Sequence, residues 1–305
     1  MPSQNNWPYE RDKYLETGIP IRNGDKDSLP ETSVKGKIQR FYDLGSPYYL
    51  SIYGEHIHDG YYVTGREFKK EAQDNLVKLL VEKAKIKKGA RILDVGSGVG
   101  GSSIWMAKNL EAITLGITIS PVQLGIAQRL AKEQKVNSQF LLMDAEQMHF
   151  TQSFDFIWVV AALTHFQNPH SFLKLATNYL DNHGKFIIFD WMPDESVLDP
   201  YNDPDIQPVS AGMLLASLTS LSSFLKWFIN NGYRITYSED ITDRTIKTWD
   251  DASTVIIDPA AWKLIPRSSV NEVREFISFF RSIRAMKRSM QKGKLRSGAI
   301  VAEKI

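Results

Sequence analysis

The sequence predicts an α/β fold, a doubly wound sheet with helices on both faces. Between residues 86 and 190, short apolar runs of strand length alternate with amphipathic segments of helix length, which is typical of a mostly parallel sheet. A glycine-rich turn follows the first run, as in folds that bind a ligand at the strand ends. The 305 residues exceed the usual size of one domain, so we expect a core with an additional cap.

The N-terminal third is expected to lie outside the core. Residues 1–35 are polar and are predicted to form a loosely held leader. Residues 36–85 are predicted to form a helical cap or lid, interrupted by an aromatic-rich loop at 47–65. In residues 69–83 the leucines recur at helical spacing, which predicts an amphipathic helix.

The core, residues 86–190, is expected to hold strands with helices between them. The strands are predicted at residues 91–95, 112–117, 139–143, 154–160 and 185–190. The helices are predicted at 102–109, from Pro121 with Ser120 as N-cap, and at 170–180, ending in a turn at 182–184.

After Trp191 the alternation of strands and helices breaks. Residues 191–295 are predicted to form acceptor-side lid helices, at 213–230 and over most of 243–295, with a sixth strand at 233–238. Phe276, Phe279 and Phe280 recur at helical spacing in this segment. Residues 296–305 are expected to return to the sheet as its last strand, with the apolar run at 299–302.

Composition narrows the classes of function. The formal net charge is +2, so no nucleic-acid partner is expected. The chain has no cysteine, which excludes disulfides, thiolate zinc sites and a cysteine nucleophile and suits a reducing compartment. No apolar run reaches about 18 residues, so no stable membrane insertion is expected. The polar N-terminal stretch is unlike a secretory signal, and a cytoplasmic location is predicted.

The glycine-rich turn predicts a nucleotide cradle. The buried run Arg91-Ile-Leu-Asp-Val95 leads into Gly96-Ser-Gly-Val-Gly-Gly101 and then into a helix. Glycines let a ligand approach the backbone, and the helix N-terminus offers free N–H groups. Gly96, Gly98 and Gly101 also satisfy G-x-G-x-x-G, the dinucleotide fingerprint, but this spacing alone is a weak signal.

Two acidic positions favour a sulfonium nucleoside over a dinucleotide. Asp94 ends the first strand, where a carboxylate suits the cationic groups of S-adenosylmethionine better than a pyrophosphate. A dinucleotide site needs an acid about 20 residues further on for the ribose, and this chain has Thr118 there. Asp144, after the third strand, can accept a hydrogen bond from the exocyclic amine of adenine, although it can also cap the next helix. A nicotinamide-dependent oxidoreductase is the alternative.

Three segments carry a resemblance to a known family. DVGSGVGGSS at 94–103, GITISPVQLGIAQ at 116–128 and MDAEQMHF at 143–150 resemble class I S-adenosylmethionine-dependent methyltransferases. The branch of γ-tocopherol, sarcosine/dimethylglycine and cyclopropane-fatty-acid type enzymes is the most similar, over residues 36–190. The resemblance implies a Rossmann-like sheet of seven strands, mostly parallel with the last antiparallel, and methyl transfer.

The resemblance also implies roles for particular residues. Thr118, Ser120 and Gln123 would hold the ribose, Tyr42 and Asp43 would close over the cofactor, and the loop from Gly54 to Tyr61 would shape the acceptor pocket. The full set expected at the cofactor is Tyr42, Asp94, Gly96, Ser97, Gly98, Thr118, Ser120, Gln123, Asp144, Ala145, Glu146 and Ala161. Several members carry Glu-His where this chain has Thr164-His165, which puts the role of that glutamate in doubt here.

Methyl transfer to a protic acceptor is helped by a base, and three histidines are candidates. His165, His56 and His58 are expected near the sheet edge where ligands bind, and imidazole titrates near neutral pH. Each has a structural alternative: His165 can bond backbone at a strand end, and one of the other two can simply support its loop. No metal is expected, since no third ligand accompanies His56 and His58.

The predicted acceptor is a small molecule methylated at nitrogen or carbon, such as an amine, a phenol or a lipid-like natural product. Half of the aromatic residues near the cap are expected to line its pocket, the others being core: Tyr42, Tyr48, Tyr49, Tyr53, Tyr61, Tyr62 and Trp191. A protein of this fold that binds the cofactor without transferring a methyl group is the third alternative.

Overall fold

The computed structural model describes residues 29–30, 32–255 and 270–305. Its strands are β1 Arg91–Val95, β2 Ile113–Thr118, β3 Ser138–Leu142, β4 Phe154–Val160, β5 Leu180–Pro193, β6 Tyr233–Asp240 and β7 Leu295–Lys304. Its α-helices are α1 Val34–Tyr53, α2 Lys69–Ala84, α3 Gly101–Leu110, α4 Pro121–Gln134, α5 Pro169–Ala176, α6 Gln207–Met213, α7 Leu221–Asn230, α8 Thr242–Thr245, α9 Thr248–Val255 and α10 Val270–Gln291.

The strands form one seven-stranded sheet in the order β3-β2-β1-β4-β5-β7-β6. Neighbouring strands are parallel except at β7, which is antiparallel to both β5 and β6. The predicted doubly wound sheet with an antiparallel last strand is therefore confirmed. No helix in the described part of the chain is long and apolar enough to span a membrane.

Apolar residues cover both faces of the sheet, which explains the near-continuous apolar strands. Along β4, Ile157 and Val159 join the cluster under α5 and α7, whereas Trp158 and Val160 join the cluster under α2. The leucine stripe predicted for residues 69–83 is buried on this second face. Burial on both faces is what fixes β1 and β4 at the centre of the sheet.

The cap has a hydrophobic cluster of its own beyond the strand ends. Residues of α6, α9 and α10 pack together there, among them Val209, Trp249, Ile283 and Met286. Helix α1 lies beside α4 and begins after Ser33, whose side chain accepts a hydrogen bond from Gly36 N–H as an N-cap. These segments cover the edge of the sheet at which the parallel strands end.

The boundaries differ from the predicted ones in several places. Helix α1 begins at Val34, so the last two residues of the predicted leader are helical, whereas residues 1–28 and 31 lie outside the described residues. The predicted helix 213–230 was wrong: α6 ends at Met213 and α7 begins at Leu221. The segment between them is held extended because Ala216 and Ser217 N–H donate to the Thr164 carbonyl, at 2.7 and 3.0 Å.

The fifth strand is longer than the predicted 185–190. The turn expected at 182–184 lies inside β5, where His183 adopts a φ of 62° and the pairing with β4 shifts register. The preceding helix ends at Ala176 and continues as a short 3₁₀ turn to Tyr179, so the predicted end at 180 was wrong. In the region predicted as helical over 243–295, residues 256–269 lie outside the described residues.

Candidate active site

The glycine loop forms the floor of a cleft at the carboxyl ends of β1 and β2. Gly96, Gly98 and Gly100 all have positive φ, and a Cβ on Gly96 would lie 2.6 Å from Ala162 Cβ. Ser97 N–H donates to the Ile117 carbonyl at 3.0 Å, which ties the loop to β2. The cleft encloses about 940 Å³ of space, part of it open to solvent, at the N-terminus of α3.

Asp94 is buried at the base of this cleft, with 3% of its surface exposed. Ser103 Oγ donates to Asp94 Oδ2 at 2.7 Å. Burial raises the pKa of Asp94 to about 7, and the hydrogen bonds from Ser103 offset only part of that shift. A cation placed beside this carboxyl would favour its ionised form. The chemistry therefore fits a positively charged ligand.

A hydrogen-bonded set from β2 and α4 forms one side of the cleft. Thr118 Oγ1 donates to Gln123 Oε1 at 2.8 Å, which leaves the Gln123 amide N–H groups as donors beside the glycine loop. Ser120 differs from its predicted role because it does not line the cleft. It caps α4 by accepting from Gln123 N–H at 3.1 Å and donates its own hydroxyl to Asp43 on α1.

Two carboxylates on the opposite side of the cleft share a lysine. Lys35 Nζ lies 2.7 Å from Asp144 Oδ2 and 2.9 Å from Glu146 Oε2. Burial lowers the pKa of Lys35, but the hydrogen bonds and charges of the two acids outweigh it, so the pKa is raised overall. Asp144 also caps the following 3₁₀ turn by accepting from Glu146 N–H at 3.0 Å. These ion pairs thus hold helix α1 over the cleft.

His165 is a partly buried, neutral imidazole on the wall of the cleft. Its Nδ1 lies 3.2 Å from the Leu214 carbonyl, which can only accept, so Nδ1 carries the hydrogen. Nε2 therefore accepts from Tyr42 Oη at 2.7 Å. Burial lowers the pKa of His165 to about 4 and raises that of Tyr42 above its ordinary value.

His58, His56 and Asp74 form a chain of hydrogen bonds. His58 Nδ1 donates to the Asp59 carbonyl at 2.8 Å, and burial lowers the pKa of His58 to about 3, so its ring is neutral. His58 Nε2 then accepts from His56 Nδ1 at 3.1 Å, and His56 Nε2 donates to Asp74 Oδ1 at 3.1 Å. No group of three metal-ligating side chains occurs among the described residues.

A second cavity of about 650 Å³ adjoins the cleft. Most of its wall is aromatic or aliphatic: Phe41, Tyr42, Tyr49, Ile57, His58, Asp59, Ala161, His165, Trp191, Met213, Thr248, Trp249, Phe279 and Ile283. Five of these residues also line the first cleft, namely Tyr42, Ile57, His58, Ala161 and His165. The two spaces thus meet along one shared wall.

The second cavity contains one carboxyl group within its apolar wall. Asp59 is 2% exposed, and its Oδ2 accepts from Trp191 Nε1 at 2.9 Å. Burial, with a smaller contribution from nearby Asp190, raises the pKa of Asp59 to about 7. The indole N–H of Trp249 is buried and has no hydrogen-bond partner among the residues that the structure describes.

Thr164, at the position where the family resemblance implied a glutamate, has a structural contact. Its Oγ1 donates to Asp190 Oδ1 at 3.1 Å. Burial raises the pKa of Asp190 to about 6, although hydrogen bonds from Trp191 and Thr164 lower it in part. Thr164 therefore neither lines the cavities nor presents an acid to them, and it holds two segments of the cap on the sheet.

Residues 93–188, which include the glycine loop and both acidic positions of the cleft, match a family described as a methyltransferase domain. The chain contains a methyltransferase domain and has the fold of class I S-adenosylmethionine-dependent methyltransferases. The family match, the fold and the cleft, which suits a sulfonium nucleoside, agree with one another. Together they confirm the predicted cofactor, S-adenosylmethionine, and the predicted methyl transfer to a small molecule. The nicotinamide-dependent alternative receives no support.

The methyltransferase is similar to curated proteins over most of its length. It is 26% identical to (+)-O-methylkolavelool synthase from Herpetosiphon aurantiacus over 239 residues, which cover 77% of this chain and 80% of that protein. It is 25% identical to the chloroplastic tocopherol O-methyltransferase of Arabidopsis thaliana over 290 residues, covering 88% and 81%. Among solved structures, a mycolic acid cyclopropane synthase complexed with S-adenosylhomocysteine has the same fold, with a TM-score of 0.77 at 19% identity, covering 91% of this chain and 100% of that one.

The predicted site residues of the methyltransferase largely lie together. Eleven of the twelve predicted cofactor residues line the cleft, Ser120 being the other, and all three candidate histidines line it as well. Of the aromatic residues predicted for the acceptor pocket, Tyr42, Tyr49 and Trp191 line the second cavity and Tyr61 and Tyr62 do not, while the side chains of Tyr48 and Tyr53 lie outside the described residues.

Sequence reasoning missed Lys35, Asp59 and Trp249 as site residues. Ser33, a good N-cap, precedes Lys35 by two positions and was a signal that Lys35 begins a helix. Asp59 stands inside a loop that was expected to shape the acceptor pocket, but nothing local marks its burial. Trp249 carries no local signal, because its place in the cavity depends on the packing of α9 against α10.

Proposed function

We propose that this methyltransferase acts on an apolar, terpenoid- or lipid-like small molecule that carries a protic oxygen, nitrogen or activated carbon. The observation that carries the proposal is the second cavity, whose wall is mostly aromatic or aliphatic and is shared in part with the cofactor cleft. Binding sites for apolar ligands have such walls with a few polar groups that fix orientation. The names of the similar proteins, a kolavelool derivative synthase and a tocopherol methyltransferase, support the same class of acceptor.

The cleft residues fit S-adenosylmethionine by their chemistry. The glycine loop and the buried carboxyl of Asp94 would hold the cationic methionyl end, Thr118 and Gln123 the ribose, and Asp144 with Glu146 the adenine. When bound, the cofactor supplies a methyl group already activated by its sulfonium. Lys35, by pairing with both acids, would keep α1 closed over the adenosine.

The chain itself would contribute positioning and exclusion of water. Tyr42 and His165 stand on the shared wall and are fixed by their mutual hydrogen bond, so the passage between the two spaces has a defined shape. Holding a nucleophile in line with the methyl group accounts for a large part of the rate enhancement in such displacements. The buried wall would also keep water from the reacting atoms.

Several finer assignments belong to the same proposal. The reaction falls in the methyltransferase subclass of the one-carbon transferases. Residues 36–85 and the described parts of 191–295 would serve as lids over the core. A cytoplasmic location and the absence of a nucleic-acid partner are supported by the lack of cysteine and by the formal net charge of +2.

Methyl-labelled S-adenosylmethionine tests this proposal. We expect label in farnesol, a prenylated hydroquinone or a long-chain amine, and none in glycine, sarcosine or RNA. Phe279→Ala removes apolar contact from the second cavity and should raise the KM for the labelled acceptor about tenfold. Phe68→Ala is the matched control, because Phe68 is 86% exposed and lies outside both spaces.

The result that would overturn the proposal is label confined to water-soluble amines or to RNA. Absence of label in every acceptor, with S-adenosylhomocysteine still bound tightly, would equally contradict it and favour a cofactor-binding protein without transferase activity.

A further inference from the structure

Asp59 occupies a distinctive place in the second cavity. It follows His58, which lines both the cleft and the cavity, whereas Asp59 lines the cavity alone. The next residue, Gly60, donates its N–H to Thr248 Oγ1 at 2.9 Å and so ties this loop to α9. The carboxyl of Asp59 is therefore held on the acceptor side of the shared wall.

Only one oxygen of this carboxyl is occupied. Trp191 Nε1 donates to Asp59 Oδ2, and Oδ1 has no hydrogen-bond donor among the residues that the structure describes. The described wall of the cavity contains no lysine or arginine. An acceptor in this space therefore meets a carboxylate oxygen that accepts no hydrogen bond from the described part of the chain.

The candidate histidines offer no such lone pair. His165 Nε2 accepts from Tyr42, and His58 Nε2 accepts from His56. Both nitrogens of His56 are engaged, Nδ1 with His58 and Nε2 with Asp74. Each imidazole is thus engaged by a protein partner, so none is free to take a proton from an acceptor in the cavity.

We propose that Asp59 is the catalytic base of the methyl transfer, an inference that rests on the proposed function. As the acceptor heteroatom bonds to the methyl carbon, the carbon–sulfur bond of the sulfonium breaks and its electron pair stays on sulfur, giving a neutral thioether. The proton of the acceptor hydroxyl or amine passes to Asp59 Oδ1. The carboxylate becomes a carboxylic acid, so charge and atoms balance.

The electrostatic environment of Asp59 suits the role of a general base. Burial and Asp190 raise the pKa of Asp59 to about 7, close to the range in which a general base is efficient. His58, His165 and Tyr42 also face the cavity, but burial keeps the two imidazoles and the phenol neutral near pH 7. The rate should therefore rise with pH through about 7, as Asp59 loses its proton.

The test uses the acceptor that becomes labelled in the panel described above. Asp59→Asn keeps the shape and removes the base, so kcat should fall by about 10²–10⁴-fold and the rising limb of the pH profile should disappear. Binding of S-adenosylhomocysteine should be unchanged, which shows that the variant is folded. Asp59→Glu should restore part of kcat.

Trp191→Phe supplies a second, independent readout. Removing the donor to Oδ2 destabilises the carboxylate, so the rising limb should move upward by about one pH unit. A merely structural role for Asp59 would not move the limb. Asp94 and Asp190 also titrate in this range, so the infrared spectrum of Asp59→Asn is subtracted from that of the wild type, and the difference should contain a protonated-carboxyl band that titrates near pH 7.

The outcomes separate this inference from the proposed function. If apolar acceptors are labelled but Asp59→Asn keeps kcat within threefold and retains the rising limb, the inference is overturned and the proposed function stands. If no apolar acceptor is labelled, the proposed function is overturned, and the inference about Asp59, which rests on it, is overturned with it. A wild-type-minus-Asp59→Asn difference spectrum with no titrating carboxyl band would also overturn the assignment to Asp59.

Discussion

Binding of the cofactor should release protons from Asp94. In the ligand-free protein burial holds the pKa of this carboxyl at about 7, so half of the molecules are protonated at pH 7. A cation placed beside a carboxyl typically lowers its pKa by 1–3 units. Where Asp94 is protonated in the free protein, binding of the charged end of S-adenosylmethionine should therefore release that proton.

The size of the effect follows from these values. With a pKa of about 7 in the free protein and about 5 in the complex, roughly 0.8 proton is released per cofactor at pH 6. The release falls to about 0.5 at pH 7 and about 0.1 at pH 8. Because protons are released, affinity rises with pH up to about 7 and is constant above it.

Isothermal titration calorimetry in phosphate and in Tris measures this release, since the two buffers differ in ionisation enthalpy. Asp94→Asn should bind more weakly and release no protons. Asp243→Asn is the matched control, an exposed carboxyl outside the cleft and the cavity. Equal binding enthalpies in both buffers at pH 6, or an undiminished release in Asp94→Asn, would refute the reasoning.

Two further predictions concern helix α1, which covers the cleft, and the glycine loop, which forms its floor. Lys35→Met leaves Asp144 and Glu146 without their cation. S-adenosylhomocysteine should then dissociate about fivefold faster, as measured by stopped flow, and α1 should exchange its amide hydrogens faster, as measured by hydrogen exchange. Unchanged dissociation would show that the ion pairs do not hold the lid. Gly101→Ala places a Cβ 2.1 Å from the Glu55 carbonyl oxygen and should lower Tm and abolish binding. Gly125→Ala on α4, which meets nothing within 4 Å, should leave binding intact, and equal behaviour of the two variants would contradict this account.

The core could be predicted because its signals are local. The run from Arg91 to Val95 and the glycines after it predicted β1, the loop and the start of α3, and the structure places all three there. Burial on both faces leaves a parallel strand few polar positions, so its apolar run is visible in the sequence itself. Asp94 was identified as a cofactor residue for the same reason, since it ends such a run.

The acceptor side could not be predicted because its signals are tertiary. Lys35 and Asp144 are 109 residues apart in the chain, and only the fold brings the ammonium and the carboxylate together. The three histidines were chosen for their intrinsic pKa, but their availability as bases depends on Tyr42 and on one another. Such pairings cannot be read from residue types at local spacing.

The indole N–H of Trp249, which is buried with no partner among the described residues, gives the cavity a way to select among apolar acceptors. An acceptor whose oxygen reaches this N–H gains a hydrogen bond worth about 1–3 kcal/mol, whereas a hydrocarbon surface at the same point gains none. Two molecules of equal size and shape would thus differ in affinity by about 5- to 150-fold, and discrimination between them would come from a single hydrogen-bond donor that only an oxygenated acceptor can satisfy.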